Sequence, residues 1–144
     1  MALCLEVHGL WKCHAAGVRG CSARVWVLRG ATLLVQRGER VGVIGARGAG
    51  KTTLLECLRG LRRPDAGAIV MAPEARTELL ILDEGERWAD PTGDRARTAI
   101  LAARAVDDLH GLVDRCLLLR EGTLRPIGPP AQARRVAEGQ MRGC

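Results

Sequence analysis

The chain has no Phe, no Tyr, no Asn and a single Ser among its 144 residues. Without Phe and Tyr, the core has to be assembled from Leu, Val, Ala and three Trp. Without Asn, the chain lacks the Asn/Lys-x-x-Asp box that reads guanine, and no lid arginines stand out, which argues against a GTPase or a small kinase. Lys is nearly missing as well. Lys12 and Lys51 are the only two among 22 basic residues, which marks a coding bias toward Arg and not a selected basic patch. The formal charge of +6 would suit nucleic acid or an anionic surface. The Arg residues are scattered, however, and a solvated, mildly basic surface accounts for them. No apolar stretch approaches the ~20 residues needed to cross a bilayer, and the start lacks the pattern of a signal peptide. Cys4, Cys13, Cys21, Cys57, Cys116 and Cys144 form no C-x-x-C pair and no zinc-like grouping with His8, His14 or His110. Reduced thiols and a cytoplasmic setting are therefore expected.

What is present is concentrated in one stretch. Hydrophobic residues make up 47% of a chain long enough for one domain with a genuine core, so residues 1–144 are read as a single globular unit. Arg40-Val41-Gly42-Val43-Ile44 reads as a buried parallel strand, and Gly45-Ala46-Arg47-Gly48-Ala49-Gly50-Lys51-Thr52 follows it directly. Polyphosphate oxygens need many donors in a small space. A Gly-rich turn lets backbone N–H groups converge on them without Cβ interference. Lys51 would add a mobile positive charge for the outer phosphates, and the Thr52 hydroxyl would serve Mg²⁺. From Thr53 onward the chain reads as a helix whose N-terminal end favours an anion.

Along the rest of the chain, residues 4–8 alternate like an edge strand, and residues 31–36 read as a second strand before the Arg37-Gly38-Glu39 turn. The helix from Lys51 ends near Gly60. Pro64-Asp65-Ala66-Gly67 turns into a strand at residues 68–71. The apolar run at residues 79–82, ending in Asp83-Glu84, is expected to be a strand buried on both faces. Asp90-Pro91 resembles a helix cap. Ala96, Ala99, Ile100, Ala103 and Val106 recur at helical spacing, which predicts a helix with one face on the sheet. A last core strand at residues 116–119, a Glu121-Gly122 hairpin turn, a return strand at 123–127 and a terminal helix at 130–138 complete the pattern. The class is α/β: a phosphate-loop sheet with flanking helices and an N-terminal antiparallel β portion. The strands at residues 41–44 and 79–82 are expected to be parallel neighbours, bringing Asp83 close to Thr52.

In this order the motifs resemble ATP-binding-cassette (ABC) nucleotide-binding domains. The resemblance is carried by Val27-Leu28-Arg29-Gly30, Arg37-Gly38-Glu39, the phosphate loop, Leu61-Arg62-Arg63-Pro64-Asp65-Ala66-Gly67, residues 79–84, the Asp114 to Gly122 stretch and Gly128-Pro129-Pro130-Ala131. It implies that Gly45, Ala46, Arg47, Gly48, Ala49, Gly50, Lys51, Thr52 and Thr53 bind ATP. It implies further that Asp83 and Thr52 hold Mg²⁺, and that Glu84 is the base that polarises the attacking water. The alternative for Asp83 and Glu84 is a charged strand end. The family's adenine-stacking aromatic falls on His14, either as a stacking group or as a plain surface residue. Asp90 falls where the family's D-loop aspartate lies and reads equally as a helix cap.

The departures from the family are as specific as the matches. Only residues 72–78 separate the strand at 68–71 from that at 79–82, where the family places a Q-loop and a helical subdomain with its LSGGQ-like signature. No Gln lies in that interval and no signature occurs elsewhere. The strand carrying the switch histidine looks lost near Val106 and Asp107, and His110 reads as a solvated helix residue. The resemblance thus implies an ATP-binding subunit working with a membrane-spanning transporter subunit and a full-length ATPase partner. A non-catalytic nucleotide-binding or interaction module is the alternative.

Overall fold

A computed structural model describes residues 3–15, 24–84, 98–109 and 111–142. Asp90, Ala96 and His110, singled out above, lie outside them. Among the described residues the elements are β1 (Leu3–Ala15), β2 (Arg24–Gln36), β3 (Arg40–Ile44), α1 (Lys51–Leu58), β4 (Ala66–Met71), α2 (Ala75–Glu78), β5 (Leu80–Leu82), β6 (Ala99–Ala103), a 3₁₀ turn (Val106–Leu109), β7 (Arg115–Arg120), β8 (Thr123–Gly128) and α3 (Pro130–Arg142). They build two sheets. One is antiparallel in the order β2-β1-β4, and the other runs β5-β6-β3-β7-β8 with every pair parallel except the β7-β8 hairpin. The α/β class with an antiparallel N-terminal portion is as expected.

Strands β3, β6 and the centre of β7 are buried throughout because the sheet is covered on both faces. Val41, Val43, Ile100, Ala102, Leu117 and Leu119 pack toward α1 and the antiparallel sheet. Ile44, Leu101, Ala103, Cys116 and Leu118 pack toward the 3₁₀ turn and α3. The two-residue period of a strand is present in space but invisible in sequence, since both faces demand apolar residues.

That ambiguity explains the main correction. The segment expected to be helical from the spacing of Ala99, Ile100, Ala103 and Val106 is strand β6, lying between β3 and β5. Helix propensity favours Ala by roughly 0.7 kcal/mol or less per ordinary residue, whereas burying Ile100 or Leu101 is worth about 1.5–3 kcal/mol each, and both are fully buried. Packing wins. As a consequence β3 and β5 are parallel but not neighbours, contrary to the sequence expectation. The strand that looked lost near Val106 is β6 itself, several residues upstream.

Position in the sheets places the remaining strands and corrects two expectations. β1 is the central strand of its sheet and not an edge, and it extends well past His8 through bulged pairings with β2. β4 pairs antiparallel with β1, so it leaves the parallel sheet altogether. β5 is the outer strand and only half buried, not covered on both faces.

Polar contacts hold the sheet edges in register. The Arg115 guanidinium grips the Glu39 carboxylate with Nε and Nη2 at 3.0 and 3.1 Å, tying the turn before β3 to the start of β7. The buried Thr98 hydroxyl accepts the Gly38 N–H at 2.7 Å and fixes the start of β6 on the same turn. At Glu121-Gly122 both φ angles are positive, 52° and 78°, as a two-residue hairpin with right-handed strand twist requires. The Gly122 carbonyl accepts the Arg29 N–H at 2.8 Å and so joins the hairpin to β2.

The four described cysteines are free thiols. Burial pushes the Cys116 thiol up to about 11, and it raises those of Cys4 and Cys57 as well. At pH 8 a thiol of pKa 11 is thiolate in only about one molecule per thousand. Brief alkylation at that pH, read by peptide mass spectrometry, is expected to label the half-buried Cys13 and leave Cys4, Cys57 and Cys116 unmodified until denaturant is added. Native labelling of Cys116 at the rate of Cys13 would contradict this packing.

Candidate functional site

The site forms where β3, β5 and β6 end together. Residues 45–50 leave β3 and turn back into α1, whose N-cap is Gly50 at φ 103°. Only Gly adopts that backbone without strain, and a Cβ there would come within 2.8 Å of Val27. The Gly45 N–H donates to the Ala103 carbonyl at 3.2 Å, so the loop's first residue is fastened to the end of β6. The Leu54 N–H donates to the Gly50 carbonyl at 2.9 Å, closing the first helical turn.

A cavity of about 530 Å³ opens over this loop, bounded by His14, Arg47, Lys51, Asp83, Glu84 and Arg104 together with the glycines and threonines of the loop. Nearly all the residues expected to act together line it: Ala46, Arg47, Gly48, Gly50, Thr52, Thr53 and His14 on one side, Asp83 and Glu84 on the other. Gly45 sits fully buried beneath, and Ala49 props the turn through its N–H to the Ala46 carbonyl at 3.0 Å. A larger cavity of about 730 Å³ lies at the C-terminal end of α1, lined by Leu58, Ile69, Met71, Leu79 and Ile81 among others. It lacks the convergent charges of the first, Arg59 being the one charged residue among the described residues that line it.

Within the first cavity the polar groups are already joined. The Thr52 hydroxyl donates to Asp83 Oδ2 at 2.8 Å, and the Glu84 N–H donates to Asp83 Oδ1 at 2.7 Å. Asp83 reaches Thr52 although β6 separates their strands, because parallel strands bring all their C-terminal ends to one edge. Lys51 is 5% exposed, and its ammonium donates to the Gly45 and Ala46 carbonyls and lies 3.6 Å from Glu84 Oε2. Burial lowers its pKa from the ordinary lysine value, the Glu84 carboxylate pulls it back up, and Arg104 pushes it down again. The second oxygen of Glu84 accepts from Arg104 Nε. His14 Nε2 lies 3.0 Å from the Thr53 hydroxyl at the opposite wall.

Arg104 is the residue that the sequence reading missed. It follows a buried strand as Asp83 follows β5, so a polar residue at the end of an apolar run was the available signal; reading the run as a helix concealed it.

Among the described residues no group of three or more His, Cys, Asp and Glu is arranged to hold a metal alone. The donor set fits Mg²⁺ nonetheless. Mg²⁺ keeps most of its water and takes one or two protein oxygens alongside substrate phosphates. A hydroxyl and a carboxylate in mutual contact, beside a glycine-rich turn at a helix N-terminus, would provide those oxygens.

Comparison with known proteins agrees with this geometry. The ABC transporter family model matches residues 28–96. A curated relative, the methionine import ATP-binding protein MetN of Bordetella avium, is 46% identical over 56 residues, which cover 39% of this chain and 16% of that protein. The chain therefore matches only a small part of the length of such relatives. An ATP-binding cassette of an ABC transporter in its ADP conformation superposes with a TM-score of 0.73 at 10% identity, covering 96% of each chain. A dimeric cassette bound to ADP and Pi in a post-hydrolysis state gives a TM-score of 0.66 at 12% identity over 86% of this chain and 98% of that one. The matched segment is similar to the ABC transporter family, and the shared fold is that of an ATP-binding cassette.

Proposed function

We propose that the chain binds Mg-ATP through the loop at residues 45–53 and serves as the nucleotide-binding subunit of a transport assembly. The observation that carries this reading is the Thr52 to Asp83 contact at 2.8 Å, at the N-terminus of α1 and beside the buried Lys51. Backbone N–H groups of the turn and Lys51 would take the phosphates, and Thr52 and Asp83 would hold the metal. His14, at the far wall, would lie against the base. Bound Mg²⁺ would neutralise charge on the outer phosphates.

The partners follow from what the chain lacks. A domain with no signature sequence cannot complete a second nucleotide site, so a full-length ATPase would have to supply it, together with a membrane-spanning subunit. Such a complex sits on the cytoplasmic face of a membrane. No helix among the described residues is long and apolar enough to cross one. One observation favours the alternative, a module that binds without turnover: the Glu84 carboxylate is paired with both Lys51 and Arg104.

Calorimetric titration with ATP, GTP and ADP, each with and without Mg²⁺, tests the reading. ATP is expected to bind, and Mg²⁺ to tighten it. In Asp83→Ala the dependence on Mg²⁺ should vanish while metal-free binding persists. If no nucleotide binds in any condition, the loop is structural only.

A further inference from the structure

The cavity of about 730 Å³ opens at the far end of α1 from the glycine-rich loop, and its origin lies in the topology. β4 pairs with β1 in the antiparallel sheet and β5 with β6 in the parallel one, so the two strands diverge, joined through the four-residue α2. A wedge is left between them. Leu58, Ile69, Met71, Leu79 and Ile81 line it, and the last four are only partly buried against the core. Apolar side chains half open to water favour an apolar occupant.

The polar side of the wedge is equally specific. In the parallel β5–β6 ladder the Leu80 N–H donates to the Thr98 carbonyl at 2.9 Å, so Leu80 and Leu82 face β6 and Ile81 turns its own N–H and C=O outward. β5 is the outer strand, and this edge borders the cavity. Arg59 Nη2 donates to the Ile81 carbonyl at 2.6 Å, which fastens the guanidinium beside the Ile81 N–H. A guanidinium carries five donors, so together with that N–H it presents one donor to each oxygen of a carboxylate. We propose that this cavity binds a medium-chain carboxylate, its head held by Arg59 and the Ile81 N–H and its tail lying against Leu58, Ile69, Met71 and Leu79. The volume falls within the about 300–1,000 Å³ of small-molecule sites. A second copy of the chain fits less well, because pairing edge to edge on β5 about a two-fold axis would bring two Arg59 guanidinium groups together. The site is separate from the loop cavity and stands without the Mg-ATP reading.

Calorimetric titration of the full chain with octanoate, decanoate and decylamine, each below its micelle concentration, tests the proposal. Decanoate is expected to bind saturably at one site and about tenfold tighter than octanoate, since each buried methylene contributes about three- to fourfold. Decylamine has the tail without the matching head, and should bind at least about tenfold more weakly than decanoate. Arg59 is exposed, and Arg59→Ala should weaken decanoate about tenfold. Met71→Trp, which fills the wedge from a half-buried position, should abolish binding, with circular dichroism showing that each variant is folded. Equal affinity for acid and amine, no saturable decanoate binding, or wild-type affinity in folded Arg59→Ala or Met71→Trp would each overturn the proposal. A ligand-free dimer in sedimentation that Met71→Trp dissociates would put a second copy in the cavity and overturn it as well. The comparison of acid with amine uses wild type alone, so it decides the matter whether or not the variants fold.

Discussion

Lys51→Ala is expected to abolish measurable ATP binding, whereas Arg47→Ala should change affinity by no more than about threefold. The two residues sit four positions apart in one loop, and their surroundings decide the difference. Lys51 is buried, with its ammonium aimed between two loop carbonyls and the Glu84 carboxylate. A polyphosphate in the cavity would replace those partners with stronger ones in a poorly hydrated setting, where a contact to a charged group contributes about 1.5–3 kcal/mol. Several phosphate oxygens would be served at once, so the loss should exceed the ~100-fold of a single such contact. Arg47 belongs to the exposed tip of the turn, where water screens its charge. Titration calorimetry on both variants checks the contrast. Equal affinity of wild type and Lys51→Ala would remove the loop from nucleotide recognition.

The contrast also shows which parts of the chain its sequence makes legible. A phosphate loop is written in residue types at fixed spacing, because Gly, Lys and Thr each do something there that other residues cannot. The strand before it and the helix after it are then located by chemistry and not by periodicity. The turn at Glu121-Gly122 is legible for the same reason, its backbone needing positive φ. Where packing alone decides, the sequence is silent. β6 has the composition of a helix and the burial of a central strand, and nothing in Ala99-Ile100-Leu101-Ala102-Ala103 separates the two. That single ambiguity displaced three inferences: the neighbour of β3, the fate of the strand near Val106, and the identity of the residue facing Glu84. The N-terminal strand was cut short for a different reason. Its alternation slips between Val7 and Leu10, around Gly9 at φ 55°, so a strict two-residue period stops there while the pairing with β2 continues.

Phosphate release by the isolated protein is expected to remain barely above the uncatalysed background. A positioned general base contributes ~10²–10⁴-fold, which sets the most that Glu84 would add. Each transition-state donor left out of a site costs roughly 10²–10³-fold, and this chain has no signature sequence and no Gln between β4 and β5. Those losses outweigh the base. Glu84 is moreover tied to Lys51 and Arg104, so it has to be released before it could orient water. The contributions act on one transition state and do not add, which makes the estimate a direction and not a rate. Steady-state phosphate release measured at rising protein concentration supplies the check, with Glu84→Gln as the control. A flat rate near background that Glu84→Gln leaves unchanged agrees with a subunit that depends on a second ATPase domain. A rate that climbs with the square of concentration and collapses in Glu84→Gln would mean that two copies of this chain complete each other's sites without the signature.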